Sequence, residues 1–219
     1  MKNMKSAIIF DFDGVIIDSE SIRYKTYKEL FLKEYSVELP DKDVIFVGRT
    51  PRENMVYFLE MYNLKGNVNE LMDKRKELLN NIFSKKENIK PIPGLFGLLK
   101  QLQSNEIKLA IASSSSEEYV TPILKYLNLA DTFDVVVTGN MVTKGKPDPE
   151  IFIKAVDMLN EKRENCVVIE DAISWIVAAK AAGIKVIAIT SFFSREELSS
   201  ADKIVDDLGQ IRIQDLQNI

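Results

Sequence analysis

The sequence predicts an α/β fold, an open parallel sheet with helices on both faces and an all-helical unit inserted after the first strand. Three observations predict it. Short apolar runs rich in β-branched residues recur at Ala7–Phe10, Ile107–Ala112, Val135–Thr138, Cys166–Ile169, Val186–Thr190 and, more weakly, Lys203–Val205. Amphipathic helical patterns separate most of them, as parallel strands require. From about Glu20 to Asn88 the alternation stops and only helical patterns occur.

Taken in order, Ala7–Phe10 ends in Asp11, followed by Phe12, Asp13 and Gly14. Two carboxylates at the end of a buried strand are costly unless something neutralises them. The helical patterns Ser21–Glu34, Pro51–Tyr62 and Val68–Lys85 come next, and Lys90-Pro91-Ile92-Pro93-Gly94 marks the return to the sheet. Residues 1–17 and 89–219 are therefore read as one core, with residues 18–88 as a helical insertion. The insertion either adds stability or covers whatever the aspartates do; its departure point beside them favours covering. Phe31, Phe46, Phe58 and Tyr62 read as its packing core. The later helices are read at Leu95–Leu102, Glu118–Leu127, Pro149–Leu159 and Ala172–Ala182. Ser115 and Glu118 have capping-box spacing at the start of one of them.

Composition narrows the function. The 219 residues are 46% hydrophobic and 28% charged, an ordinary globular balance. A net charge of −4 argues against a dedicated nucleic-acid binder. No apolar run has the length of a membrane span, and no signal-peptide pattern opens the sequence, so a cytoplasmic protein is expected. Cys166 is the single cysteine and sits in an apolar strand, which reads as a core thiol. Histidine is absent, which excludes Ser-His-Asp and Cys-His catalysis and histidine metal sites. Acid–base chemistry near neutral pH then falls to carboxylates, Lys or Tyr.

In a parallel sheet the residues that follow each strand share one edge, where ligands bind. That edge collects Asp11 and Asp13, the run Ser113-Ser114-Ser115-Ser116, Lys146 within Gly145-Lys146-Pro147-Asp148-Pro149, and Glu170-Asp171. Clustered carboxylates raise one another's pKa unless a cation neutralises them. Hard oxygen ligands suit Mg²⁺, which also binds phosphate. Serines opening a helix offer free amides to an anion, and Lys146 adds a positive charge. A carboxylate can itself be a nucleophile, and a second one two residues on can move the proton.

Asp11-Phe12-Asp13-Gly14-Val15 resembles the first motif of the haloacid dehalogenase superfamily. Ser113 resembles its second, Lys146 its third and Glu170-Asp171 its fourth. All four stand in family order across essentially the whole chain. The chain is most similar to the branch with a helical cap, which includes β-phosphoglucomutase and small sugar-phosphate phosphatases. The resemblance implies a Rossmann-like core in which Asp11 is the nucleophile and Asp13 the general acid–base. Mg²⁺ would be held by Asp11, the backbone carbonyl of Asp13 and Asp171, with Glu170 assisting. Ser113, the Ser114 amide and Lys146 would bind the phosphoryl group. It implies hydrolysis of a small phosphorylated metabolite, with no nucleic-acid or membrane partner, by a monomer or weak dimer; a sugar-phosphate mutase is the alternative.

In the insertion, Gly48-Arg49-Thr50-Pro51-Arg52-Glu53 resembles the family's substrate loop, and Asp73-Lys74-Arg75-Lys76 a basic stretch that binds a distal phosphate. Arg49, Arg52 and Lys76 are thus candidate substrate contacts, or members of a solvated face. Arg23 appears at the position of a histidine in the mutase, and that departure favours a phosphatase. Trp175 stands where relatives usually carry glycine. It could reshape the metal site or only pack beneath it.

Overall fold

The computed structural model describes residues 5–40, 51–85 and 88–219. The chain divides into two compact units, Met1–Ile17 with Pro91–Ile219, and Asp18–Lys90. The first holds a six-stranded sheet of β1 (Ala7–Phe10), β2 (Lys108–Ala112), β3 (Val135–Val137), β4 (Cys166–Glu170), β5 (Lys185–Ile189) and β6 (Lys203–Val205). The order is β3-β2-β1-β4-β5-β6 and every pair is parallel. Each residue of β1 is buried, which is why its sequence is apolar without alternation.

The strand order places the site. The chain winds outward from β1 through β2 to β3, then returns to lay β4 on the other side of β1. At such a reversal the connections leave neighbouring strands in opposite directions and open a crevice at their carboxyl ends. Phe10 pairs with Ile169 and Ile111, so the residues that follow β1, β4 and β2 emerge side by side. The Asp11 amide is fixed there by a 3.0 Å hydrogen bond to the Ile169 carbonyl.

One face of the sheet is covered by α6 (Glu150–Leu159) and α7 (Ile173–Ala181). Ile9, Ala110, Ala112, Val168 and Ala188 pack there with Phe152, Ala155, Ile176 and Ala179. Side chains alternate along a strand, so Ile8 and Phe10 point to the other face. Phe10 there meets Phe133 edge to face at 5.9 Å. Cys166 is fully buried and burial pushes its thiol up to about 11, as suits a core residue. The same unit holds α4 (Leu95–Gln103), near the helical pattern read at Leu95–Leu102, and α8 (Ile213–Asn218), which is too short to show as a sequence pattern.

The second unit contains α1 (Ser19–Tyr35), α2 (Pro51–Met61) and α3 (Val68–Ser84). Asp18 caps α1 by accepting from the Ser21 amide, and Asn67 caps α3 by accepting from Asn69. Phe58 is fully buried with its ring 5.5 Å from Tyr27, 5.7 Å from Phe31 and 6.3 Å from Tyr24. Tyr62 is half-buried, and Phe46 lies outside the described residues. Among the described residues no helix is long and apolar enough to cross a membrane.

Phe58→Ala empties the centre of the packing among α1, α2 and α3 and is expected to cost about 3–5 kcal/mol. Urea denaturation checks it; a loss of less than about 1 kcal/mol, the range of surface changes, would contradict the packing described.

Candidate active site

The chain just past β1 has a tightly folded path. The Ile16 amide bonds the Phe12 carbonyl and the Gly14 amide bonds the Ile17 carbonyl. Gly14 has φ +88°, a left-handed conformation that glycine adopts without strain. A Cβ there would also come within 2.0 Å of Asp171 Oδ2, so glycine lets the backbone meet that carboxylate. Ile17 pairs with Pro91, so the chain leaves this unit and re-enters it at one place.

Asp11, Glu170 and Asp171 are all buried, and each offers a carboxylate oxygen within 4.8 Å of the others. The Lys146 ammonium lies among them with its side chain 2% exposed, 3.0 Å from Asp11 Oδ1 and 3.4 Å from Glu170 Oε1. It also donates to the Ala112 carbonyl at 3.4 Å. Glu170 Oε2 accepts from the amides of Asp171 and Ala172 at 2.7 and 2.9 Å, which locks that side chain. Burial pushes the Asp11 carboxyl up to about 6 against the pull of Lys146, and the charge of Asp13 adds to the rise. Burial, then the charge of Asp11, pushes Glu170 up to about 8.

Asp11 and Glu170 thus share the Lys146 ammonium in a buried site, with the Asp171 carboxylate beside them. The donor set fits a divalent cation: hard carboxylate oxygens, buried and close together. Asp11, Glu170 and Asp171 are the residues that could hold it.

Asp13 is held by a separate set of partners. Ser115 Oγ donates to its Oδ2 at 2.7 Å and the Tyr119 hydroxyl to its Oδ1 at 3.3 Å. The Tyr119 ring is fixed edge-on against Phe12 at 6.1 Å. This corrects the expected capping box. The N-cap of α5 (Glu117–Tyr126) is Ser116, and the Ser115 hydroxyl is committed to Asp13 instead. The first amide of α5 is capped by Asn140, which accepts from Glu117. Ser113 is buried and its Oγ accepts from the Ser115 amide, while Ser114 is exposed.

The family model for haloacid dehalogenase-like hydrolases matches residues 8–189, which contain every one of these groups. The chain belongs to that family. It is 35% identical over 182 residues to the phosphorylated carbohydrates phosphatase of Thermotoga maritima, covering 82% of each chain. It is 30% identical to the bifunctional riboflavin kinase/FMN phosphatase of Arabidopsis thaliana over 98% of its own length, but spans only 56% of that protein. Among solved structures, β-phosphoglucomutase from Clostridium difficile superposes with a TM-score of 0.72 at 27% identity, covering 98% of each chain.

The hydrolase brings Asp11, Asp13, Ser113, Ser114, Lys146, Glu170 and Asp171 to the carboxyl edge of its sheet. The other expected residues lie in the helical unit. Arg23 is half-buried on α1, and Lys76 is exposed on α3. Arg52 on α2 donates to Asn69 Oδ1 at 2.8 Å and lines a surface pocket with Glu53, Val56 and Tyr57. Lys76 lies about two turns beyond Asn69 along α3. Arg49 lies outside the described residues. The basic residue of that stretch buried by the fold is Arg75, whose guanidinium stands 4.1 Å over the Tyr27 ring.

Sequence reasoning missed Ser115 and Tyr119 as partners of Asp13. A serine run before a helix signals capping, and nothing in its spacing says that one hydroxyl turns back to β1. It also left Trp175 unplaced. The ring lies directly against the Lys146 ammonium, and Phe152 flanks the same ammonium at 4.8 Å.

Without metal, Asp11 and Glu170 bind protons more tightly folded than unfolded. Their contribution to stability is therefore full below about pH 4 and is lost as pH rises through about 6 and about 8. Metal-free wild type should lose thermal stability relative to Glu170→Gln between pH 5 and pH 8. Parallel curves for the two proteins, followed by calorimetry, would contradict this.

Proposed function

We propose that this hydrolase cleaves the phosphate ester of a small metabolite, a sugar phosphate, with Mg²⁺ and through an aspartyl-phosphate on Asp11. The observation that carries the reading is the pair of aspartates held in two different environments. Asp11 is buried between Lys146 and the Glu170–Asp171 pair, while Asp13 is tethered by two hydroxyl groups. Similar positions in sequence with unlike surroundings are what two distinct roles require.

Asp11 attacks phosphorus and the P–O bond to the leaving group breaks. Asp13 gives its proton to the departing oxygen. A water then loses a proton to Asp13 and attacks the phosphorus, which frees Asp11 and inorganic phosphate. Lys146, the Ser113 hydroxyl and the Ser114 amide hold the phosphoryl oxygens and spread their charge. Mg²⁺ on Asp11, the Asp13 carbonyl and Asp171, with Glu170 assisting, would supply electrostatic stabilisation of the transferring group. Ser115 and Tyr119 orient Asp13. Arg23, Arg49, Arg52 and Lys76 are assigned to substrate selection by the helical unit, with Arg52 on its surface pocket.

The named phosphatase relatives support a phosphorylated substrate, and the carbohydrate phosphatase supports a sugar. The likeness to a β-phosphoglucomutase supports a second reading, in which the aspartyl-phosphate passes to a bound phosphosugar rather than to water. Glucose 1-phosphate with a bisphosphate primer separates the two. Isomer forming faster than free phosphate would select the mutase.

Phosphate release from a panel of sugar phosphates should require Mg²⁺, stop with chelator and be abolished in Asp11→Asn. Near-normal turnover in a clean Asp11→Asn preparation would overturn the assignment. Ser115→Ala and Tyr119→Phe should each lower kcat about tenfold with KM little changed, because they act through a group whose proton transfer is worth about 10²–10⁴. Steady-state kinetics decide this; an effect on KM alone would place them in binding instead.

A further inference from the structure

We propose that Trp175 is a positioning residue for Lys146, its ring holding the ammonium where it meets a phosphoryl oxygen. The inference rests on the phosphoryl-transfer reading of the site. Trp175 is half-buried in the first turn of α7, four residues after Asp171, and packs against the same apolar face of the sheet as Phe152. Phe152 is fully buried on α6. Two helices therefore bring two aromatic rings to one buried ammonium.

The chemistry of the ammonium makes the rings matter. Lys146 has three N–H donors, and Asp11, Glu170 and the Ala112 carbonyl are three acceptors within 3.4 Å. Two of those acceptors belong to the cluster that suits a divalent cation. When their charge is drawn elsewhere, the ammonium must turn N–H groups toward a phosphoryl group without swinging into solvent. A ring face attracts a desolvated cation and takes up no donor in a directed hydrogen bond. It also has no carboxylate oxygen for a divalent cation to compete for. Trp175 thus supplies a hold on Lys146 that persists while its hydrogen bonds are exchanged. A lysine has a long, rotatable stem and needs such a hold more than an arginine would.

The test uses two readouts. Trp175 is the sole tryptophan, so its emission reports on Lys146 directly. Lys146→Met keeps the length of the stem and removes the charge, and should shift the emission of the folded, ligand-free protein. Unchanged emission would overturn the inference. Inorganic phosphate is then titrated by calorimetry in the presence of Mg²⁺. Trp175→Leu should weaken phosphate binding about tenfold, about 1.4 kcal/mol. Trp175→Phe, which restores a ring in a similar volume, should recover most of the loss. Should the leucine variant fail to fold, the phenylalanine variant and the Lys146→Met emission still decide. Phosphate binding as tight in Trp175→Leu as in wild type, with hydrolysis intact, sinks the inference alone. Weakened binding in an enzyme whose wild type cleaves no ester supports the inference and overturns the catalytic reading. Wild type that takes up no phosphate overturns both.

Discussion

A buried ammonium among buried carboxylates is the constraint on which the site depends. Lys146 pairs with Asp11 and Glu170 at once, and burial leaves both carboxyls reluctant to ionise. A protein core would not collect such groups for stability, because unpaired buried charge is costly. The sheet forces them together all the same. β1 and β4 are neighbours in register, so the residues that follow Phe10 and Ile169 have no other place to go. The surrounding groups compensate in part: two amides on Glu170, one carbonyl on Lys146 and two rings against it. A divalent cation held by Asp11, Glu170 and Asp171 would add positive charge to that cluster.

The second aspartate shows how one short segment supports two environments. Asp11 and Asp13 are two residues apart, yet the turn at Gly14 begins between the sheet and the exit of the chain at Ile17. Asp11 still belongs to the edge of the buried strand. Asp13 has left it and is reached by hydroxyls from the segment that follows β2. Local backbone geometry thus separates the groups chemically without separating them far in sequence. The same turn needs glycine twice over, for its positive φ and for the approach of Asp171.

Much of this was written in the chain itself. Apolar β-branched runs between helical patterns determined a parallel α/β sheet, because only strands buried on both faces read that way. The absence of histidine excluded histidine-based catalysis, the carboxylates at strand ends marked the edge of the sheet where they gather, and the four motifs carried the family. The tertiary structure decided which groups meet. Ser115 was legible as a helix cap, but its hydroxyl serves Asp13. Lys76 was singled out from a basic run in which the fold buries Arg75. Trp175 could be noticed in the sequence and not placed. Periodicity records which face of an element is buried, so a sequence reveals elements and their exposed ends. Side-chain partners are set by contacts between segments far apart in the chain, Asp13 with Tyr119 or Lys146 with Trp175, and those exist only once the sheet has been assembled.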